Sequence, residues 1–155
     1  LHERSSDLVA SLRRAAEIQG RVLQRYRDQT GSPLDALHGI LESLLPFDER
    51  RLALSRVFLH FYAESTADDK IHDEISEYAD NLRRVVRRSI VAAQDQGQVP
   101  TDLDIDAVTI DLVATIDGLS VHALLDPAIM ETLRKRPHLP EDLTGYILRP
   151  LQGGD

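Results

Sequence analysis

IDAVTIDLVATIDGLSVHALL, residues 105–125, decides the fold. Asp104 before it suits a helix N-cap, and Asp126-Pro127 after it suits a stop. At steps of three and four, Ile105, Val108, Leu112, Ile116 and Leu119 line one face. Ile110, Val113, Ala114, Val121, Leu124 and Leu125 line a second. A helix with one apolar stripe covers one core, whereas a helix apolar nearly all round must bury both sides. Two arrangements meet that demand. In the first, the other helices of the same chain surround it. In the second, a partner subunit covers the outer side across a two-fold axis. Ala114 and Gly118, four apart, are small enough to let a partner helix come close. The modestly apolar C-terminal segment, with Leu143, Tyr146, Ile147 and Leu151, can lie beside it. Two helices from each subunit would then form a four-helix seam. Its candidate residues are Ile110, Ala114, Gly118, Val121, Leu125, Tyr146 and Ile147.

Working outward, the chain reads as helices joined by punctuated turns, with no strand alternation. A first helix is expected from about Ser6 to Asp28. Leu8, Leu12, Ala15, Gln19, Val22, Leu23 and Tyr26 share its face, and Gly31 provides a stop. Ser32-Pro33 starts a second helix carrying Leu34, Leu37, Leu41, Leu44 and Leu45, which ends at Pro46. Asp48 caps a third with Leu54, Val57, Phe58, Phe61 and Tyr62. The longest helix spans about 70–96 on the stripe Ile71, Ile75, Tyr78, Leu82, Val85, Val86, Ser89, Ile90 and Ala93, and Gly97 stops it. After residue 125 a short helix is expected over Ala128–Arg136. Pro137 and Pro140 break the chain, and a last helix covers Glu141–Arg149. Pro150 and Gly153-Gly154 lead into a tail expected to be mobile. The fold class is therefore all-α, and residues 1–155 form one domain.

Composition narrows the function. With no cysteine, disulfides and thiolate metal sites are excluded. The net charge of −8 argues against this piece holding a nucleic-acid duplex by itself. No signal peptide is recognised, and no uninterrupted apolar stretch approaches a membrane span. These features suit a cytoplasmic protein without membrane partners. There is no P-loop, dinucleotide fingerprint, zincin helix or nucleophile–base set, so no enzyme activity and no cofactor are expected.

Several short phrases, in order, carry a resemblance. Ile116-Asp117-Gly118-Leu119 followed by Leu124-Leu125-Asp126-Pro127 resembles the dimer-forming helix of TetR-family regulators. Residues 90–100, IVAAQDQGQVP, are similar to the junction before that helix. Arg51–Ser65 followed by Ala67-Asp68-Asp69 resembles a further family segment, although its Trp is missing and Asp69 stands where Pro is usual. The BetI-like C-terminal domains are the nearest in flavour. Arg4-Ser5-Ser6-Asp7-Leu8 looks like the tail of the family's DNA-reading headpiece, which is then expected to precede Leu1. The resemblance spans about residues 5–150. It implies a homodimeric regulator, most often a repressor, that binds a small-molecule effector among its helices. Effector binding would shift the spacing of headpieces held in successive major grooves of operator DNA.

Each candidate site residue also has a structural explanation. Gln19 lies on an apolar face and needs hydrogen-bond partners, from a neighbouring carbonyl or from a ligand. Phe58, Tyr62, Tyr78 and Leu82 are ordinary core residues or the lining of an internal cavity. Asp117, in a nearly all-apolar helix, needs an arginine, a backbone donor or a cationic effector. His122, five residues on, faces the pocket or the partner. His38 reads as structural or exposed. His60 and Glu64 are one turn apart, which without further ligands is weak evidence for metal, so no metal site is expected. Arg83-Arg84 and Arg87-Arg88 form a basic ridge that reads as a solvated, salt-bridged face, with Asp80 placed for Arg84. The effector expected from these residue types is mainly apolar with one or two polar anchors. Two other classes stay open: a small-molecule-binding domain of a different regulator, and an all-α enzyme or carrier.

Overall fold

The computed structural model describes residues 2–28 and 31–149. Seven helices follow one another: α1 His2–Arg27, α2 Pro33–Leu44, α3 Glu49–Glu64, α4 Asp69–Asp95, α5 Ile105–Leu125, α6 Pro127–Arg134 and α7 Leu139–Ile147. Among the described residues there is no strand. The expected all-α class and helix order hold.

The helix starts follow their capping residues. Ser32 Oγ accepts from the Asp35 amide at 3.1 Å, and Asp48 Oδ1 accepts from the Arg51 amide at 2.8 Å. Asp104 and Asp126 do the same for α5 and α6. Each such cap stabilises its helix by about 1 kcal/mol. Asp68 accepts from the Lys70 and Ile71 amides and also takes the Ser5 hydroxyl at 2.6 Å, which ties the start of α1 to that of α4. Asp69 thus occupies the first helical position, where proline is common because no amide hydrogen is needed there. Gly97 ends α4 with φ +71°, while the Gln98 amide reaches back to the Ala93 carbonyl at 2.8 Å.

Several boundaries differ from the sequence reading, among them the start of α1 at His2 instead of Ser6 and the end of α7 at Ile147 instead of Arg149. Gly31 does not mark the end of α1, which already stops at Arg27. Pro140 does not break the chain. It sits in the first turn of α7, where its missing amide hydrogen and fixed φ are tolerated, so the helix begins at Leu139. The short helix α6 ends at Arg134, two residues early. Pro150, Leu151 and the Gly153-Gly154 tail lie outside the described residues.

The chain packs around α4, which touches α1, α2, α3 and α5. The buried side chains form two clusters. The larger joins α2, α4, α5, α6 and α7, with Leu23 of α1 and Leu52 of α3, around Leu37, Ile40, Leu41, Val86, Ile90 and Leu112. The smaller joins α1, α3 and α4 around Leu12, Phe58, Phe61, Ile71 and Ile75. Ile40 and Leu52 are buried although the sequence stripes omitted them, and Val57, which was included, is exposed. His38 Nε2 lies 2.8 Å from Thr144 Oγ1, linking α2 to α7, and burial lowers its pKa.

By length and composition α5 is apolar enough to pass for a membrane span, although Asp106, Asp111 and Asp117 interrupt its apolar run. Its buried face instead packs on α3, α4, α6 and α7. Its two-sidedness is real but narrower than expected. Val113, assigned to the outer face, is buried with Leu112 and Ile116. What stays uncovered is Ile110, Ala114, Val121 and Leu125, with the half-buried Gly118 between them. Tyr146 on α7 is 76% exposed and Ile147 partly so.

Candidate functional site

The two core clusters do not fuse completely, and a cavity lies where they meet. On α1, Gln19 stands between Leu12 of the smaller cluster and Leu23 of the larger. Leu54, Phe58, Tyr62 and Tyr78 line the cavity from the smaller cluster, and Leu44, Leu82, Val113 and Ile116 from the larger. Gln19, Ser43, Arg51, Ser55, Asp117 and Ser120 supply polar edges. The enclosed space is about 40 Å³, room for water but well below the roughly 300 Å³ at which small-molecule pockets begin.

Six of the seven candidate residues are brought together here: Gln19, Phe58, Tyr62, Tyr78, Leu82 and Asp117. His122 is not among them. Five residues beyond Asp117, it is turned roughly 140° around the helix and faces solvent. Sequence reasoning missed Ser43, Arg51, Ser55 and Ser120. The spacing Val113, Ile116, Asp117, Ser120 was the available signal: one helical stripe with two polar members on an otherwise apolar helix.

The aromatic wall is ordered. Phe58 and Tyr78 stack with ring centroids 4.2 Å apart and planes 11° from parallel. Around it the polar groups divide into satisfied and unsatisfied. Ser43 Oγ donates to the Ile40 carbonyl at 2.7 Å and Ser55 Oγ to the Arg51 carbonyl at 3.0 Å. Arg51 donates to the Glu42 carbonyl at 3.1 Å and pairs with Asp48 at 3.4 Å. Gln19 is only 2% exposed, yet its Nε2 has no hydrogen-bond partner among the described residues. The structural bond expected from a neighbouring carbonyl is therefore not made. Asp117, half-buried, also lacks the pairing expected of it. Burial pushes its carboxyl up to about 6, and Arg83 opposes this weakly. Arg83 is occupied by Asp80. Burial, then the charge of Asp117, pushes the Tyr62 phenol up to about 12. Burial also raises Tyr78.

A second, wider space flanks the cavity. The groove between α1 and α4 encloses about 440 Å³ and is lined by Leu12, Gly20, Leu23 and Val85, with Arg13, Glu17, Glu74 and Glu77 at its rim. Tyr78 and Leu82 line both spaces, so these two side chains form the partition between them.

Elsewhere, chemistry is sparse. His60 and Glu64 approach only to 3.9 Å, and among the described residues no three His, Asp or Glu side chains gather. The basic ridge of α4 is partly salt-bridged, in a different register from that expected: Arg83 pairs with Asp80 and Arg87 with Asp106 at 2.8 Å, while Arg84 donates to the Asn81 side-chain carbonyl at 3.1 Å.

Residues 33–143 match a family model described as BetI-type transcriptional repressor, C-terminal. No curated protein matches the chain.

Proposed function

Because the chain belongs to the TetR family of transcriptional regulators, with a BetI-type C-terminal domain over residues 33–143, we propose that it is the effector-sensing and dimerising part of a repressor. The observation that carries this reading is the cavity between α1, α3, α4 and α5, walled by a stacked aromatic pair and carrying polar groups without protein partners among the described residues, Gln19 and Asp117 foremost. Those walls suit a compact, largely apolar effector with one or two polar anchors. A ligand larger than a few waters must displace Tyr78 and Leu82 and join the cavity to the α1–α4 groove. Such displacement moves α1 and α4 relative to one another. A ligand that prefers the opened arrangement shifts the population toward it by its difference in affinity for the two states.

The same reading gives α5 its second task. Ile110, Ala114, Gly118, Val121 and Leu125, with Tyr146 and Ile147 of α7, form the face on which a second copy would pack. A DNA-binding segment outside residues 1–155 would then be carried by each subunit, and the −8 charge of this part keeps operator contact to that segment. A regulator of this kind works in the cytoplasm, with no enzymatic step and no cofactor.

Native mass spectrometry of the protein as purified from cells tests the sensing role. A non-covalent adduct of small-molecule mass, lost in Leu82→Trp where the partition is filled, is the expected result. If the wild-type protein carries no adduct and binds none from a cell extract, the cavity is only a packing defect.

A further inference from the structure

Gln19 and Asp117 enter the cavity from α1 and α5, on helices that do not share a principal interface. Ser43 and Ser55 have already given their hydroxyl protons to backbone carbonyls, so they can only accept. Arg51 is held by Asp48 and the Glu42 carbonyl. Gln19 Nε2 is the one fully buried polar side-chain atom without a hydrogen-bond partner among the described residues, in a side chain only 2% exposed. The carboxylate left without a hydrogen bond among the described residues is Asp117. The flat Phe58–Tyr78 stack lines the same cavity. A buried donor without an acceptor is disfavoured, so a molecule that supplies one gains more from it than from an equal bond in water.

We propose that the site selects a flat, monocyclic, uncharged ligand with a carbonyl oxygen at one end, which accepts from Gln19 Nε2, and a hydroxyl at the other, which donates to Asp117. This rests on the reading of the cavity as an effector site. The ring lies against the Phe58 face that Tyr78 gives up when it is displaced, where a planar apolar body fits better than a branched one. Neither polar end demands a full charge, because no free cation faces Gln19 and the carboxylate of Asp117 is satisfied by a hydroxyl donor.

Four probes of nearly equal size separate the parts of this claim: 4-hydroxyacetophenone, 4-ethylphenol without the carbonyl, 4-methoxyacetophenone without the donor, and 4-ethyltoluene with neither. Their affinities are measured by NMR titration at pH 7.5 on the wild type and on Gln19→Leu. The wild type should bind 4-hydroxyacetophenone about tenfold more tightly than either single-group probe. In Gln19→Leu the advantage over 4-ethylphenol should vanish while 4-ethylphenol itself binds as before. The carbonyl assignment is overturned if 4-hydroxyacetophenone keeps its advantage in Gln19→Leu. Equal binding of 4-ethyltoluene and 4-hydroxyacetophenone by the wild type leaves the cavity a ligand site and overturns the polar selection. Binding of none of the four overturns both. Because Gln19→Leu removes an unsatisfied group from the core, the variant should fold, and its unchanged amide spectrum away from α1 is the control.

Discussion

The Phe58 ring from α3 lies against the Tyr78 ring from α4, centroids 4.2 Å apart. This stack joins two helices across the smaller core cluster and forms one wall of the cavity. Phe58→Ala removes the stack together with a nearly fully buried side chain, and should cost about 3–5 kcal/mol in urea denaturation. Tyr78→Phe keeps both rings and should cost less than about 1 kcal/mol. Equal costs would mean that the phenol, not the stack, holds the two helices.

Gln19→Leu is expected to stabilise the protein. The amide sits in the core with its Nε2 unpartnered, and replacing it with an apolar side chain of similar length removes a desolvation cost of about 1–3 kcal/mol. The midpoint of thermal unfolding should rise. A fall would show that Gln19 makes a bond essential to the fold.

Asp117 gives a pH dependence of opposite sign to an ordinary ion-paired carboxylate. Its folded pKa, about 6, lies above the unfolded value of 3.8. Between those values the folded state binds more protons than the unfolded one, so this group's contribution to stability falls as pH rises from 4 to 6. Above pH 6 the full penalty is present, and below pH 4 it is gone. A two-unit shift discounted for partial solvent exposure corresponds to roughly 1–2 kcal/mol. Asp117→Asn should add about that much stability at pH 7.5 and little at pH 4, as read from denaturation curves at both. A gain of the same size at both pH values would contradict this.

Two glycines separate packing inside the chain from packing outside it. A Cβ on residue 39 would overlap the Tyr26 ring, because α1 and α2 meet there without clearance. Gly39→Ala should therefore cost about 1–3 kcal/mol in chemical denaturation. A Cβ on residue 118 meets nothing within 4 Å. Gly118→Ala should leave the helical content of the chain intact, since alanine favours a helix by up to about 1 kcal/mol over glycine. It should weaken self-association all the same, read as a raised dimer dissociation constant in sedimentation equilibrium.

The sequence was most legible where chemistry is local. Ser32, Asp48 and Asp104 cap the helices they were expected to cap, and Gly97 makes the expected stop, because each depends on residues within one turn; Asp126, read only as the stop of α5, also caps α6. The family resemblance, drawn from degenerate phrases around Gly97 and Gly118, is matched by the family model over residues 33–143. Convergence of Gln19, Phe58, Tyr62, Tyr78 and Asp117 followed from their being polar or aromatic on apolar faces. Rotation about a helix was harder to judge. Val113 points inward and His122 outward, because a helix apolar on two sides gives no polar face from which to fix the angle. The gap between the two clusters was not legible at all, since it depends on how far α1 stands from α4 and α5.

The claim that binds these parts together is that α5 serves two cores, one inside the chain and one shared with a second copy. Multi-angle light scattering on the wild type, Gly118→Glu and Val121→Asp tests it most directly, with circular dichroism on the same samples. The wild type should scatter at twice the 17.4 kDa chain mass. Both variants should scatter at the single-chain mass with unchanged helical content, since Val121 is 36% exposed and Gly118 faces open space. A wild-type monomer, or two well-folded variants that remain dimers, would contradict the account.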